Sequence, residues 1–293
     1  MTAIDPNLPD HAGRPDRPEA SGRLGRDFGT RLASGVVLAA VAIGLTWAGV
    51  TGFGLLVLAV TLIVAWEWGL IVRQGGIDTI FVLNALVVVA AVALTVAGLP
   101  ALGLLAVLAG AILAGLLGFG RLGHMSSLGV LYAGLPAVAL IWIRSAGAYG
   151  FAAALFILLC VWASDTGAYL AGRLIGGPKL MPRVSPNKTW AGLAGAVSAS
   201  VATAAAFGVA VPALPFGRLL LGGLALALVS QAGDLMESAL KRWYGVKDAS
   251  HLIPGHGGFM DRVDGLILAA VAAGLLAAWI DIQEPARALL TWQ

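Results

Sequence analysis

The chain has 293 residues, 59% of them hydrophobic and 11% charged, with a mean hydropathy of +0.91. A soluble domain carries roughly 25% charged residues, so this composition excludes one and points to apolar helices packed in lipid. The formal charge of +3 and pI near 9.3 do not indicate nucleic acid, because the positive residues are scattered between apolar segments rather than gathered in one stripe.

Residues 1–30 are polar, with Pro6, Pro9, Pro15 and Pro18 and no periodic apolar face, which reads as a disordered tail. The apolar run that begins after Arg31 is longer than a signal-peptide core and reads as a spanning helix. Runs of about 17 to 25 apolar residues then predict nine spans, near 32–49, 51–72, 79–98, 101–118, 127–143, 149–171, 190–210, 219–236 and 264–281. The 40 glycines suit close helix packing in such a bundle. Cys160 is the only cysteine, which excludes an intrachain disulfide and a multi-thiolate metal cluster.

The fold class expected is an all-α polytopic membrane protein of about nine transmembrane helices with its N-terminus in the cytoplasm. Of the 18 Lys and Arg residues, only Arg144, Arg218 and Arg287 then fall on the outer side, the bias that orients membrane proteins. The loops between spans six and seven and between spans eight and nine share the cytoplasmic side.

Three carboxylates lie within or beside spans. Glu67 sits in VAWEWG, Asp165 in WASDTGAY and Asp234 in SQAGDLMES. Each is costly in hydrocarbon unless paired, hydrated or metal-bound. Glu67 reads either as an ion pair or hydrogen bond holding two helices together or as a functional group. Arg173 follows Asp165 by eight residues, on a similar helical face, while Glu237 and Lys241 extend one face from Asp234.

In the loop 171–192, Thr189 or Ser185 would cap the next helix, and the amino end of that helix, with Lys179, Arg183 and Lys188, offers an anion site. The stretch from Ser238 to Asp264 gathers Lys241, Arg242, Lys247, Asp248, His256, Asp261, Arg262 and Asp264 between two apolar runs. Gly257 and Gly258 permit a tight backbone path with N–H groups open to phosphate. Asp261 and Asp264, three apart, repel unless a proton or a cation bridges them. Hard oxygen donors of this kind favour Mg2+ over Zn2+. His256 reads as a ligand, a phosphate contact or a solvated loop residue.

This stretch resembles the signature of the phosphatidate cytidylyltransferases, or CDP-diacylglycerol synthases. It is met by Ser238, Lys241-Arg242, Lys247-Asp248, Pro254, His256-Gly257-Gly258, Asp261-Arg262 and Asp264. Two upstream elements agree in order: Asp165, Ala168 and Tyr169, and the run Ser185-Pro186-Asn187-Lys188-Thr189. The second departs from the family pattern at Ala191, where a Glu usually precedes the Gly.

The resemblance implies transfer of CMP from CTP to phosphatidic acid at the cytoplasmic face of a bacterial-type inner membrane, by one helical domain, 31–293, behind the tail. Asp234 and Asp261 are then the expected principal Mg2+ ligands, with Asp165 or Asp264 in support. Lys188, Lys241, Arg242 and Arg262 would hold phosphates, with His256 near the pyrophosphate. Lys179, Ser185, Asn187, Thr189, Lys247, Gly257 and Gly258 would line the nucleotide. The resemblance suggests a homodimer, which nothing in the residue pattern demands; membrane lipids surround it and no nucleic acid is involved. Alcohol phosphotransferases and polyprenyl-phosphate transferases also place acid clusters at a membrane face, but with aspartate spacings unlike Asp261 and Asp264. A transporter using Asp165 and Asp234 would show inverted halves, and no such symmetry is visible.

Overall fold

A computed structural model describes residues 35–118, 120–247, 249–250 and 258–293, so the expected tail, 1–30, lies outside the described residues. The chain divides into two compact units, 1–40 and 41–293. The apolar runs fold into α1 (Gly35–Trp47), α2 (Val50–Arg73), α3 (Thr79–Val96), α4 (Pro100–Gly118), α5 (Gly120–Ser145) and α6 (Gly150–Leu174). After a hairpin come α7 (Trp190–Ala210), α8 (Phe216–Trp243), a 3-10 turn η1 (Met260–Arg262), α9 (Asp264–Ile280) and α10 (Pro285–Thr291). Every element from α2 onward belongs to the second unit.

Seven of these helices, α2 to α8, are long and apolar enough to cross a membrane, and the pair α9 and α10, bent by 95°, would make an eighth. A helix stands at each of the nine expected positions, and among the described residues seven or eight spans are long enough. The described part of α1 is short, and α9 has 17 residues, about 26 Å at ~1.5 Å per residue, before the chain turns sharply. The helices are apolar on all sides, and large side chains such as Leu86 (64% exposed) and Ile112 (66% exposed) face outward. A helix apolar all round belongs in a core or a membrane, so this is a multi-pass membrane protein.

One expectation was incomplete. The loop after α6 contains two antiparallel strands, β1 (Lys179–Met181) and β2 (Ser185–Thr189), in register Lys179 with Thr189 and Met181 with Ser185. So short a polar pair, with Pro182 and Pro186 in it, gives no alternating apolar signal to read. Thr189 ends β2 and caps α7, its hydroxyl accepting the Gly192 N–H at 3.0 Å. Ser185 lies at the far end of β2 and is not the cap.

Inside the bundle the contacts are made by small residues. At Gly195 on α7 an added Cβ would collide with the Ala171 Cβ and lie 2.5 Å from the Gly167 carbonyl oxygen, both on α6. The two helices meet backbone to backbone there, which fixes α6, the carrier of Asp165, against α7. Gly217 on α8 has open space at the same test. Gly195→Ala should therefore destabilise the purified protein by about 1–3 kcal/mol, the usual cost of overpacking, seen as a lower melting temperature in detergent. Gly217→Ala should leave it unchanged or raised; equal behaviour of the two variants would contradict the α6–α7 contact.

Candidate active site

Polar side chains collect at one end of the bundle, where α6 and α8 finish and α7 and α9 begin. The hairpin is laid over that end: β2 packs on α7 and α8, and Arg242 of α8 donates to the Val184 carbonyl at 3.4 Å. The two cation-rich loops expected to share a side do meet.

One group is centred on α8. Lys188 of β2 forms an ion pair with Asp234 at 2.6 Å. It also donates to Gln231 Oε1 at 3.5 Å, and Gln231 donates to Ser164 and to Asp165, both on α6, at 3.5 Å. Gln231 is buried, with 5% of its surface exposed, and it joins three segments. Asp264, the first residue of α9, is buried and accepts the Gly265 N–H at 2.7 Å. The carboxylates of Asp165, Asp234 and Asp264 repel one another, and Lys188 attracts Asp165 and Asp264 across the same space. Asp165 is exposed at the surface.

A second group stands beside the first. Lys241 bridges Glu237 at 2.9 Å, one helical turn away, and Asp261 of η1. Asp261 Oδ2 accepts the Gly258 N–H at 3.2 Å. Burial works to raise the Asp261 carboxyl, but hydrogen bonding to Glu237, Lys241 and the Gly258 amide holds it below the ordinary carboxylate value. Glu67 of α2, with none of its surface exposed, accepts the backbone N–H groups of Phe259 at 2.8 Å and Met260 at 2.5 Å and the Ser250 hydroxyl. Glu67 therefore ties a helix to a loop rather than a helix to a helix.

The remaining expected residues are more dispersed. Lys179, Asn187, Arg242 and Lys247 are exposed. Arg173 stacks over Tyr169 and donates to its hydroxyl at 2.9 Å instead of reaching Asp165. Arg262 is near enough to attract Asp165. His256, Gly257 and Asp248 lie outside the described residues. Gln231 escaped the sequence reading, although its position three before Asp234 in an apolar helix was the available signal.

Among the described residues no three His, Cys, Asp or Glu side chains close a metal cage. Mg2+ at a nucleotide takes one or two carboxylates, with phosphates and water completing its shell. The carboxylate oxygens of Asp165, Asp234 and Asp261, each with a partner on another segment, and of Asp264 at the start of α9 fit that open kind of site.

Residues 29–279 match the model of the Cytidylyltransferase family. The phosphatidate cytidylyltransferase of Brucella suis biovar 1 (strain 1330) is 38% identical over 259 residues, covering 85% of this chain and 93% of that protein. The phosphatidate cytidylyltransferase of Brucella abortus (strain 2308) shows the same identity and coverage. That of Bacillus subtilis (strain 168) is 41% identical over 142 residues, 48% of this chain and 53% of its own length.

The Lys188–Asp234 contact is open to a double-mutant cycle with Lys188→Met, Asp234→Asn and the pair. Partners in contact couple by about 0.5–3 kcal/mol, so unfolding measurements on the four proteins should give a coupling in that range. A coupling of zero would mean that β2 and α8 do not meet there.

Proposed function

Because the chain belongs to the Cytidylyltransferase family, we propose that it transfers CMP from CTP to phosphatidic acid, releasing pyrophosphate and forming CDP-diacylglycerol. It is a membrane-embedded nucleotidyltransferase of phospholipid biosynthesis. The observation that carries the reading is that Lys188 pairs with Asp234 and, through Gln231, connects to Asp165, uniting three segments at one end of a lipid-facing bundle.

The lipid phosphate is already an oxyanion. One of its oxygens attacks the α-phosphorus of CTP, the bond from that phosphorus to the β-phosphate bridging oxygen breaks, and the electron pair leaves with pyrophosphate. No general base is required, so positioning and charge neutralisation carry the rate. Lys188, Lys241, Arg242 and Arg262 hold the phosphates, with His256 toward the pyrophosphate. Lys179, Ser185, Asn187, Thr189, Lys247, Gly257 and Gly258 line the nucleotide. Asp234 and Asp261, supported by Asp165 and Asp264, would hold Mg2+, which when bound neutralises charge on the phosphates.

Asp261→Asn should abolish CTP-dependent formation of the lipid product in detergent with labelled CTP, Mg2+ and phosphatidic acid, while the protein stays monodisperse. Near-wild-type turnover in that variant would sink the metal assignment. Offering other lipid phosphates or alcohols in the same assay separates this reaction from those of other membrane transferases.

The proposed topology has nine spans, the tail 1–30 in the cytoplasm, the domain 31–293 behind it and the polar end facing the cytoplasm of the inner membrane. The Lys and Arg bias supports it. Arg183, exposed on the hairpin turn, tests it. Arg183→Cys should resist a membrane-impermeant thiol reagent in intact cells and react once they are opened, whereas labelling from outside would reverse the orientation; Cys160 is buried and adds no signal. The proposed homodimer rests on family resemblance, and light scattering in detergent decides it.

A further inference from the structure

We infer that Glu67 is a positioning residue of the active site, acting through the backbone of the segment that carries Asp261 and Asp264. The inference rests on the reading that those two aspartates belong to the site.

A wholly buried carboxylate is costly unless its oxygens are hydrogen-bonded. The donors that serve Glu67 come from one short stretch: the Ser250 hydroxyl and the N–H groups of Phe259 and Met260. The first N–H groups of a helical turn have no partner within it. Glu67 accepts two of them from 192 and 193 residues away, serving η1 as an N-cap side chain serves its own helix. Bonds from amides to a carboxylate are among the stronger neutral-to-charged kind.

The turn so held is the one that aims Asp261. Its own bonds run from Arg262 N–H to the Phe259 carbonyl at 2.9 Å and from Val263 N–H to the Met260 carbonyl at 3.1 Å. Apolar packing locks the same contact from below, since Val64, Trp68, Ile71 and Val72 of α2 share one buried cluster with Ala249, Met260 and Ile267. Gly258 sits so close that a Cβ there would lie 2.8 Å from the Ala249 Cβ and 3.2 Å from Glu67 Oε1. A tie meant only to join α2 to its neighbours would bond another helix. Glu67 bonds the turn.

Glu67→Gln tests this without changing the side chain's size. The amide oxygen can keep Ser250 and Phe259, but its NH2 group then faces the Met260 N–H. Loss of a group supporting ligand residues costs about 10–100-fold in activity, so kcat should fall by that factor with KM for CTP little changed. Hydrogen exchange should quicken in the peptide 258–264 and stay at wild-type rates in α5 and α6. Ser250→Ala, which removes one donor alone, should show a smaller change of both kinds. Unchanged exchange at 258–264 overturns the inference whatever activity does, and so do exchange rising equally across the bundle and activity unaffected by a loosened turn. If the wild-type protein transfers no CMP, the proposed reaction fails, while the exchange rates still report whether Glu67 pins the turn.

Discussion

Charge compensation in a medium that does not forgive unpaired charge is the constraint on which the polar end depends. Most carboxylates there are held by a partner from another segment or by a backbone amide. Lys188 reaches Asp234 from the hairpin, Lys241 joins Glu237 to Asp261, Gly265 donates to Asp264, and Glu67 takes the amides of η1. Where the partners lie on different elements, as for Lys188 with Asp234, Lys241 with Asp261 and Glu67 with η1, satisfying the charges also fixes the elements relative to one another. The hairpin, α8, η1 and the start of α9 are located by the same bonds that make their acids tolerable.

The scaffold beneath supplies what those bonds need, which is little play. The α6–α7 contact is backbone to backbone at Gly167 and Gly195, and the buried clusters run through α2, α5, α6, α8 and α9. Short side chains lose little entropy on packing, and in lipid, where no hydrophobic force draws helices together, close approach is what holds them. A reaction whose rate comes from holding two phosphates in line gains directly from such stiffness.

Much of this was legible in the residues, and the reasons differ by feature. The lipid-length runs gave the helices because hydropathy is local, although α9 falls short in length and bends sharply before α10, where Asp281 accepts the Gln283 and Glu284 N–H groups and Pro285 starts the next helix. Asp165, Asp234, Lys188, Lys241, Asp261 and Asp264 stood out because polar residues are expensive in apolar surroundings. Thr189 stood as one of two candidate caps, with Ser185, and it is the one that caps α7. The hairpin did not, since it is five residues at its longest and holds prolines. Gln231 and the direction of Glu67 stayed hidden for a shared reason: an uncharged amide raises little alarm, and a carboxylate's partner 192 residues distant leaves no spacing to read. Arg173 shows the opposite error, in which helical periodicity placed two residues on similar faces and a nearer tyrosine took the contact.

The ion pairs themselves argue that this end exists for chemistry rather than for stability. Part-exposed ion pairs such as Lys188 with Asp234 add little to stability. Val64, Trp68, Met260 and Ile267 already pack next to these charges in a buried apolar cluster, so the same fold had an apolar solution within reach. It instead keeps Lys188 with Asp234 and Lys241 with Asp261, side by side on α8, the hairpin and η1. Lysine is a flexible point charge that can exchange a carboxylate for a phosphate without moving the backbone. A pair of that make adds little as a structural rivet and is well suited to a site that must hold anions and release them.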